Sequence, residues 1–311
     1  MKKEKVEMEK ILAIDIGGTS VKIGVVEENR ILEKYSTRNI FKGKQNQLVS
    51  GIKDICENYI KKYNISKIGI GCPGEIINNT ITIASNLGWQ NFNVVEDFSK
   101  AFPNCQVFVE NDGNAAYLAE RTYGQLQEYD NCVFVTIGRG IGGTIVCKGL
   151  PQPGTHGLGS RIGHMVIKTH GRKCNCGRQG CFETYGSVYG LIRTMKDTNR
   201  KWENESERIE DSDLSGYKLA KYKTLKHPII QKGLTQWHDD LAEGLLNLCF
   251  LVDPEIIVIA GGITESNLID IDYIKNRLVN CGYDKCELKV SSFRGKAGLI
   301  GASLLCKQKA S

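Results

Sequence analysis

The chain has 311 residues, 41% of them hydrophobic and 24% charged, with a formal net charge of +6. That length favours two lobes over a single core, and the composition is that of a soluble globular protein. The Lys/Arg excess is spread among acidic residues, which argues against a nucleic-acid surface, and no apolar run approaches the roughly 20 residues of a membrane span.

The opening "MKKEKVEMEK" is charged and holds no apolar leader, so a cytoplasmic, reducing location is expected. The segment that follows, "KILAIDIGGTSVKIGVVEENRILEKYSTR", predicts three strands. The first runs from Ile11 to Ile16 and turns at Gly17-Gly18; the second runs from Val21 to Val26, and "EENR" turns into the third. Residues 46 to 63 place Leu48, Ile52, Ile55 and Tyr59 at helical spacing. "KIGIGCPGEI" predicts a buried strand ending in a Gly-Pro loop, and "CQVFVENDGNAAYLAERTYG" a strand passing into a helix. "NCVFVTIGRGIGGTIVCKG" repeats the opening strand, glycine turn and strand, a hint of internal duplication. The pattern is helical from about Asp211 to Phe250; "PEIIVIAGGI" then predicts a strand and turn, and "GKAGLIGASLLCKQ" a closing helix.

Glycines after an apolar strand let backbone N–H groups approach a phosphate closely. Gly17 and Gly18 can do so with the Thr19 hydroxyl and the Lys22 charge beside them, and Asp15 supplies an oxygen ligand for Mg²⁺ or its water shell. Gly138, Gly140, Gly142 and Gly143 form a second such turn, and Gly261-Gly262 a third. No Walker A is present, and Gly138 to Gly143, although they spell Gly-x-Gly-x-x-Gly, lie in a strand–turn–strand setting rather than opening a helix as a dinucleotide fingerprint does. Asn111 and Asp112, at a strand-to-helix junction, have two readings: a helix cap, or a general base that takes the proton of an attacking hydroxyl.

Nine of the twelve cysteines are scattered and read as small buried hydrophobes. Cys174, Cys176 and Cys181 are clustered in "HMVIKTHGRKCNCGRQGCFE", with His164 and His170 near them. Disulfides and a metal are the two explanations. A reducing compartment and the poor spacing of Cys174 and Cys176 weigh against a bridge.

Three such turns and an Asn-Asp junction, in this order, resemble the actin-like sugar kinases, and specifically the ROK family (repressor, open reading frame, kinase). The resemblance runs from about Ile11 to Ala302. It implies an α/β, two-lobed actin-like (ribonuclease H-like) ATPase fold with the active-site cleft between lobes. The N-terminal lobe is expected over residues 1–116, with a C-terminal helix of about 298–311 packing back on it. The C-terminal lobe is expected over 117–297 and carries the cysteine loop.

The stretch "GHMVIKTHGRKCNCGRQGCFE" resembles the family's zinc signature, which implies a structural Zn²⁺ on His164, Cys174, Cys176 and Cys181, with His170 as the alternative histidine. The same resemblance makes Asp112 the base that deprotonates a sugar C6 hydroxyl. It assigns sugar contacts to Asn111, Gly74 of "GCPG", Asn86 of "SNLGW", His164 and Glu183. Gly17, Gly18, Thr19 and Lys22, with Gly138, Arg139, Gly140 and Gly142, would hold ATP phosphates. Gly261 and Gly262 would hold the adenosine, and Asp15 the Mg²⁺. Trp89 reads as core rather than as a sugar platform.

Two positions depart from the family pattern. Arg161 stands where a Glu usually contacts sugar hydroxyls, and Arg139 replaces the Thr of Gly-Thr-Gly. A guanidinium donates hydrogen bonds and prefers anions, so Arg161 points to a different or negatively charged sugar, and Arg139 to an extra cation beside ATP. The expected activity is ATP-dependent phosphorylation of a hexose or N-acetylhexosamine, at C6. The alternative is a non-catalytic sugar sensor. A homodimer is expected, without nucleic-acid or membrane partners, since little chain precedes the first strand to form the DNA-binding domain of the family's repressors.

Overall fold

The computed structural model describes residues 8–84 and 86–307. Among them the chain divides into two compact units, one of residues up to Tyr123 together with those from Lys296 onward, the other Gly124–Gly295.

In the first unit, β1 (Lys10–Ile16), β2 (Ser20–Glu27) and β3 (Arg30–Arg38) form an antiparallel meander. Ile11 to Ile14 and Ile16 are almost fully buried, the continuous apolar run expected of a strand covered on both faces. Helix α1 (Leu48–Tyr63) buries Leu48, Ile52, Cys56 and Tyr59 along one stripe and ends on Asn64 in the left-handed conformation. It crosses over to β4 (Lys67–Cys72), which pairs with β1 in parallel. Next come β5 (Glu75–Ile77), β6 (Thr80–Ala84) and β7 (Trp89–Asn93), a separate antiparallel sheet that the sequence reading does not anticipate. The two-residue turn of its first hairpin, Asn78-Asn79, has φ of 47° and 65°, the twist such hairpins favour. Helix α2 (Val94–Ala101), capped by the Asn93 side chain, leads to β8 (Gln106–Asn111), parallel to β4, and then to α3 (Asp112–Tyr123). The sheet order is β3-β2-β1-β4-β8.

The second unit has β9 (Cys132–Ile137), β10 (Ile141–Cys147), β11 (Leu150–Pro151), β12 (Ile256–Ala260) and β13 (Glu287–Val290) in the order β11-β10-β9-β12-β13. An antiparallel hairpin again heads the sheet, and two parallel strands extend it, so the repeated sequence pattern has a repeated topology. Its helices are α4 (Glu183–Gly186), α5 (Val188–Arg200), α6 (Gly216–Thr224), α7 (Pro228–Val252) and α8 (Ile271–Val279). The helical stretch read near 211–250 is two helices, broken before Pro228, which occupies the first turn of α7. No described helix is long and apolar enough to cross a membrane.

The closing helix, α9 (Ala297–Leu305), belongs to the first unit; residues 308–311 of the expected helix lie outside the described residues. It packs at backbone distance on α3: a Cβ at Gly301 would lie 1.6 Å from the Ala115 carbonyl oxygen. Gly301→Ala is therefore expected to cost about 3 kcal/mol or more in urea unfolding. An unchanged midpoint would contradict this packing.

Candidate functional site

In the first unit the parallel register brings the polar candidates to one edge. Asp15 on β1 lies opposite Gly71, and Asn111 on β8 opposite Cys72, so Asp15, the loop to Gly74, and Asn111-Asp112 all sit at carboxyl ends of adjacent strands. Open α/β sheets place ligand sites at this edge. Asp15 is buried and paired with Lys22, Nζ to Oδ2 at 2.9 Å. Room for its carboxylate comes from α9, where a Cβ at Gly298 would lie 2.6 Å from Asp15 Cγ. The Gly17 turn is closed by Gly17 N–H donating to the Ser20 carbonyl at 2.8 Å, with Gly18 half-buried and Thr19 exposed at its tip.

Asn111 is the cap of α3, and this part of the capping reading holds. Its Oδ1 accepts from the Gly113 N–H at 2.9 Å and the Asn114 N–H at 3.3 Å, while its Nδ2 donates to the Gly74 carbonyl at 2.9 Å. Asp112 is thereby left for other work. Its Oδ1 accepts the adjacent Gly113 N–H, at 3.0 Å. Lost hydration and then the Asp15 carboxylate push the Asp112 carboxyl up to about 7, against the pull of the Gly113 N–H, its own N–H and the Lys22 charge. A carboxylate with that affinity for a proton suits a general base near neutral pH.

In the second unit, β9 and β12 are parallel and end together at Thr136 and Ala260, so the Gly138 and Gly261 turns are neighbours. A Cβ at Gly261, where φ is 104°, would lie 2.2 Å from the Ile137 carbonyl oxygen, a contact that only glycine allows. Gly138 N–H donates to the Gly140 carbonyl at 3.0 Å, leaving Arg139 exposed at the tip; Gly142 is the second residue of the return strand. Gly262 has open space around it.

The cysteine loop is tied by two antiparallel bridges, Val166 with Cys181 and Lys173 with Gln179. His164, Cys174, Cys176 and Cys181 come together with one ligand atom from each within 4.8 Å of the others. His170 is exposed and stands outside this group. Cys176 and Cys181 Sγ are 3.6 Å apart, and Cys174 Sγ is 3.7 Å from His164 Nδ1. Those separations exceed the roughly 2.05 Å of a disulfide and match the edge of about 3.7 Å that tetrahedral Zn²⁺ with 2.3 Å bonds to sulfur requires. The donor set fits zinc. Burial, with the neighbouring thiols, raises Cys181 to about 12, so without a cation the three thiols resist becoming thiolates together. Burial first, then the Arg161 and Arg178 charges, lower the His164 pKa against the pull of Glu183, which keeps the ring in the neutral form a ligand needs.

Phe182 follows the last cysteine and is wholly buried, with Gly186 and Gly244 leaving space for its ring. It anchors the loop in the core and sets Glu183 at the start of α4, where Glu183 Oε2 accepts the Ile141 N–H at 3.0 Å. Arg161 opens the short turn Ile162–His164 and is exposed. Asn86 is exposed in the turn between β6 and β7. Trp89 is buried, its Nε1 donating to the Phe41 carbonyl at 2.8 Å, so it is core.

Three supports escape the sequence reading. Asn39 Nδ2 donates to the Gly17 carbonyl at 2.7 Å and braces the first turn. Glu110 Oε1 accepts from the Asn111 N–H and from Asn114 Nδ2. Arg172 stacks on Tyr185 and donates to the Thr184 and Gly190 carbonyls, the Thr194 hydroxyl and Asp197, fastening the cysteine loop to α5. "RKCNCG" offers a signal for the last, a charged residue beside a ligand cluster; the other two have none.

The family model described as "ROK family" matches residues 11–309. The glucokinase of Thermotoga maritima is 26% identical to this chain, over 96% of the chain and 98% of its own length. The xylose repressor of Bacillus subtilis is 26% identical over 78% of this chain and 61% of its own length. The crystal structure of a ROK family glucokinase from Streptomyces griseus in complex with glucose and AMPPNP is similar at a TM-score of 0.83 and 25% identity, covering 95% of this chain and 98% of that one. The two mixed sheets and their helices are thus those of the actin-like ATPase fold, and the chain belongs to the ROK family.

Proposed function

We propose that this protein is an ATP-dependent sugar kinase that phosphorylates a hexose or N-acetylhexosamine on its C6 hydroxyl. The observation that carries the reading is Asp112, a carboxyl raised to about 7 at the carboxyl edge of a parallel sheet. The sugar-kinase relatives support it.

In this mechanism the hydroxyl oxygen attacks the γ-phosphorus of ATP, and the bond to the bridging oxygen of ADP breaks. Asp112 takes the hydroxyl proton and later returns it to solvent. Asn111, Gly74, Asn86, His164 and Glu183 orient the sugar, and the turns at Gly17–Thr19 and Gly138–Gly142 offer N–H groups to the phosphates, with Lys22 and Arg139 adding positive charge. Gly261 and Gly262 lie against the adenosine. Asp15 would hold a hydrated Mg²⁺, which would supply positive charge against the phosphates. His164, Cys174, Cys176 and Cys181 would hold a zinc with all four positions filled by protein, whose part would be to fix the loop that carries His164 and Glu183.

The sign of the pH dependence follows from Asp112. Below about 7 its carboxyl is protonated and cannot accept the proton, so kcat/KM is expected to fall close to tenfold per pH unit there and to level off above it. A profile flat down to pH 5 would contradict the assignment. Mass spectrometry of the product tests the reaction itself: glucose or its N-acetylated analogues gain one phosphoryl group and their 6-deoxy counterparts do not. Phosphorylation of a 6-deoxy sugar would overturn the C6 assignment. A second reading, a sugar sensor without turnover, is favoured by Arg139 at the tip of a phosphate turn and Arg161 beside the sugar residues; it predicts sugar binding with no product.

A further inference from the structure

We propose that Arg161 makes the sugar-binding wall a receptor for an anionic sugar, a monosaccharide bearing a carboxylate or a phosphate. The proposal rests on the assignment of His164 and Glu183 as that wall, and deepens it by naming the substrate class.

Arg161 is tied to the wall through its backbone, its carbonyl accepting the His164 N–H at 2.9 Å. Among the described residues its exposed guanidinium has no hydrogen bond, ion pair or ring contact. Two neighbouring arginines of the cysteine loop are engaged. Arg172 spends its guanidinium on two carbonyls, a hydroxyl and a carboxylate. Arg178 donates to the His164 carbonyl at 3.2 Å. The carboxylate of the wall, Glu183, accepts the Ile141 N–H. Gly163, between Arg161 and His164, is pressed against the Ile141 carbonyl, which holds the turn and its arginine at the start of β10. A fixed turn therefore presents five unused N–H donors beside a sugar site. Neutral hydroxyls use such a group poorly, whereas carboxylate or phosphate oxygens accept from it in pairs.

Calorimetry on the full chain tests the proposal with D-glucose, D-glucuronate and glucose 1-phosphate. One of the two anionic sugars is expected to bind about tenfold or more tightly than glucose, with an advantage that shrinks at high salt. Whichever binds identifies the anion as carboxylate or phosphate. Arg161→Gln removes the advantage, Arg161→Lys keeps part of it, and Arg30→Gln, an exposed arginine of the first unit, leaves it intact. Glucose binding as tightly as both anionic sugars, or an advantage that survives Arg161→Gln, would overturn the proposal. ADP release from the same mixtures separates it from the kinase reading. Glucose 1-phosphate keeps the C6 hydroxyl that glucuronate lacks, so its binding without ADP release, with none from glucose either, sinks the kinase and leaves this proposal standing; a neutral sugar turned over without any anionic preference does the reverse.

Discussion

Asp112→Asn is expected to lower turnover by about 10²- to 10⁴-fold while leaving sugar affinity close to that of the wild type. The substitution keeps the shape of the side chain, and its Oδ1 still accepts the Gly113 N–H, so only the proton acceptor is lost. The same variant carries a second, independent signature. The carboxyl rises from 3.8 in the unfolded chain to about 7 in the fold, so the fold prefers it protonated. That preference is fully present below pH 3.8 and is lost as pH rises through about 7. Above pH 7 the wild type bears a disfavoured charge that Asn lacks, and the variant is expected to be more stable by up to about 4 kcal/mol, less where water reaches the carboxylate. Urea unfolding at pH 8 and pH 4 checks this: the gain should be present at the first and absent at the second. A variant that keeps near-normal turnover, or is no more stable at pH 8, would remove Asp112 from its role.

Cys176→Ser is expected to take bound zinc from one per chain to none and to weaken sugar binding before nucleotide binding. Cys176 is exposed, so the change opens no cavity in the core. A hydroxyl replaces a thiolate in a site that needs all four donors, and structural zinc is worth roughly 10 kcal/mol or more to such loops. Phe182 and the Arg172–Tyr185 contact still hold the base of the loop, so the damage falls on the His164 and Glu183 side. Metal analysis beside separate sugar and nucleotide titrations measures it. Unchanged zinc content would reject the ligand set, and so would a Cys176–Cys181 disulfide in the wild type purified with intact thiols elsewhere.

Features close together in sequence were readable without coordinates. The buried run of β1, the glycine turns after it and after β9, and the thiols gathered around "CNCGRQGC" each declare themselves within a few residues. Asn111-Asp112 was readable only as two alternatives, and the structure gives capping to Asn111 and leaves the raised carboxyl to its neighbour. What could not be read depends on register or on distant packing. Asp15, Gly74 and Asn111 converge because β1, β4 and β8 are parallel and aligned, which no local pattern states. Asn39 braces a turn 22 residues away, and Gly298 makes room for Asp15 from the far end of the chain. The sheet β5–β7 was missed because its strands are short and partly polar, although Asn78-Asn79 between two β-branched segments was a usable hairpin signal.

Sugar-stimulated ADP release from Mg-ATP, with neutral, N-acetylated and acidic sugars compared at saturating nucleotide, tests the kinase reading most directly. The account predicts ADP formed in step with one class of sugar and held at the no-sugar background in Asp112→Asn. No stimulation by any sugar, with sugar binding still visible by calorimetry, would contradict it and make the protein a sensor built on a kinase fold.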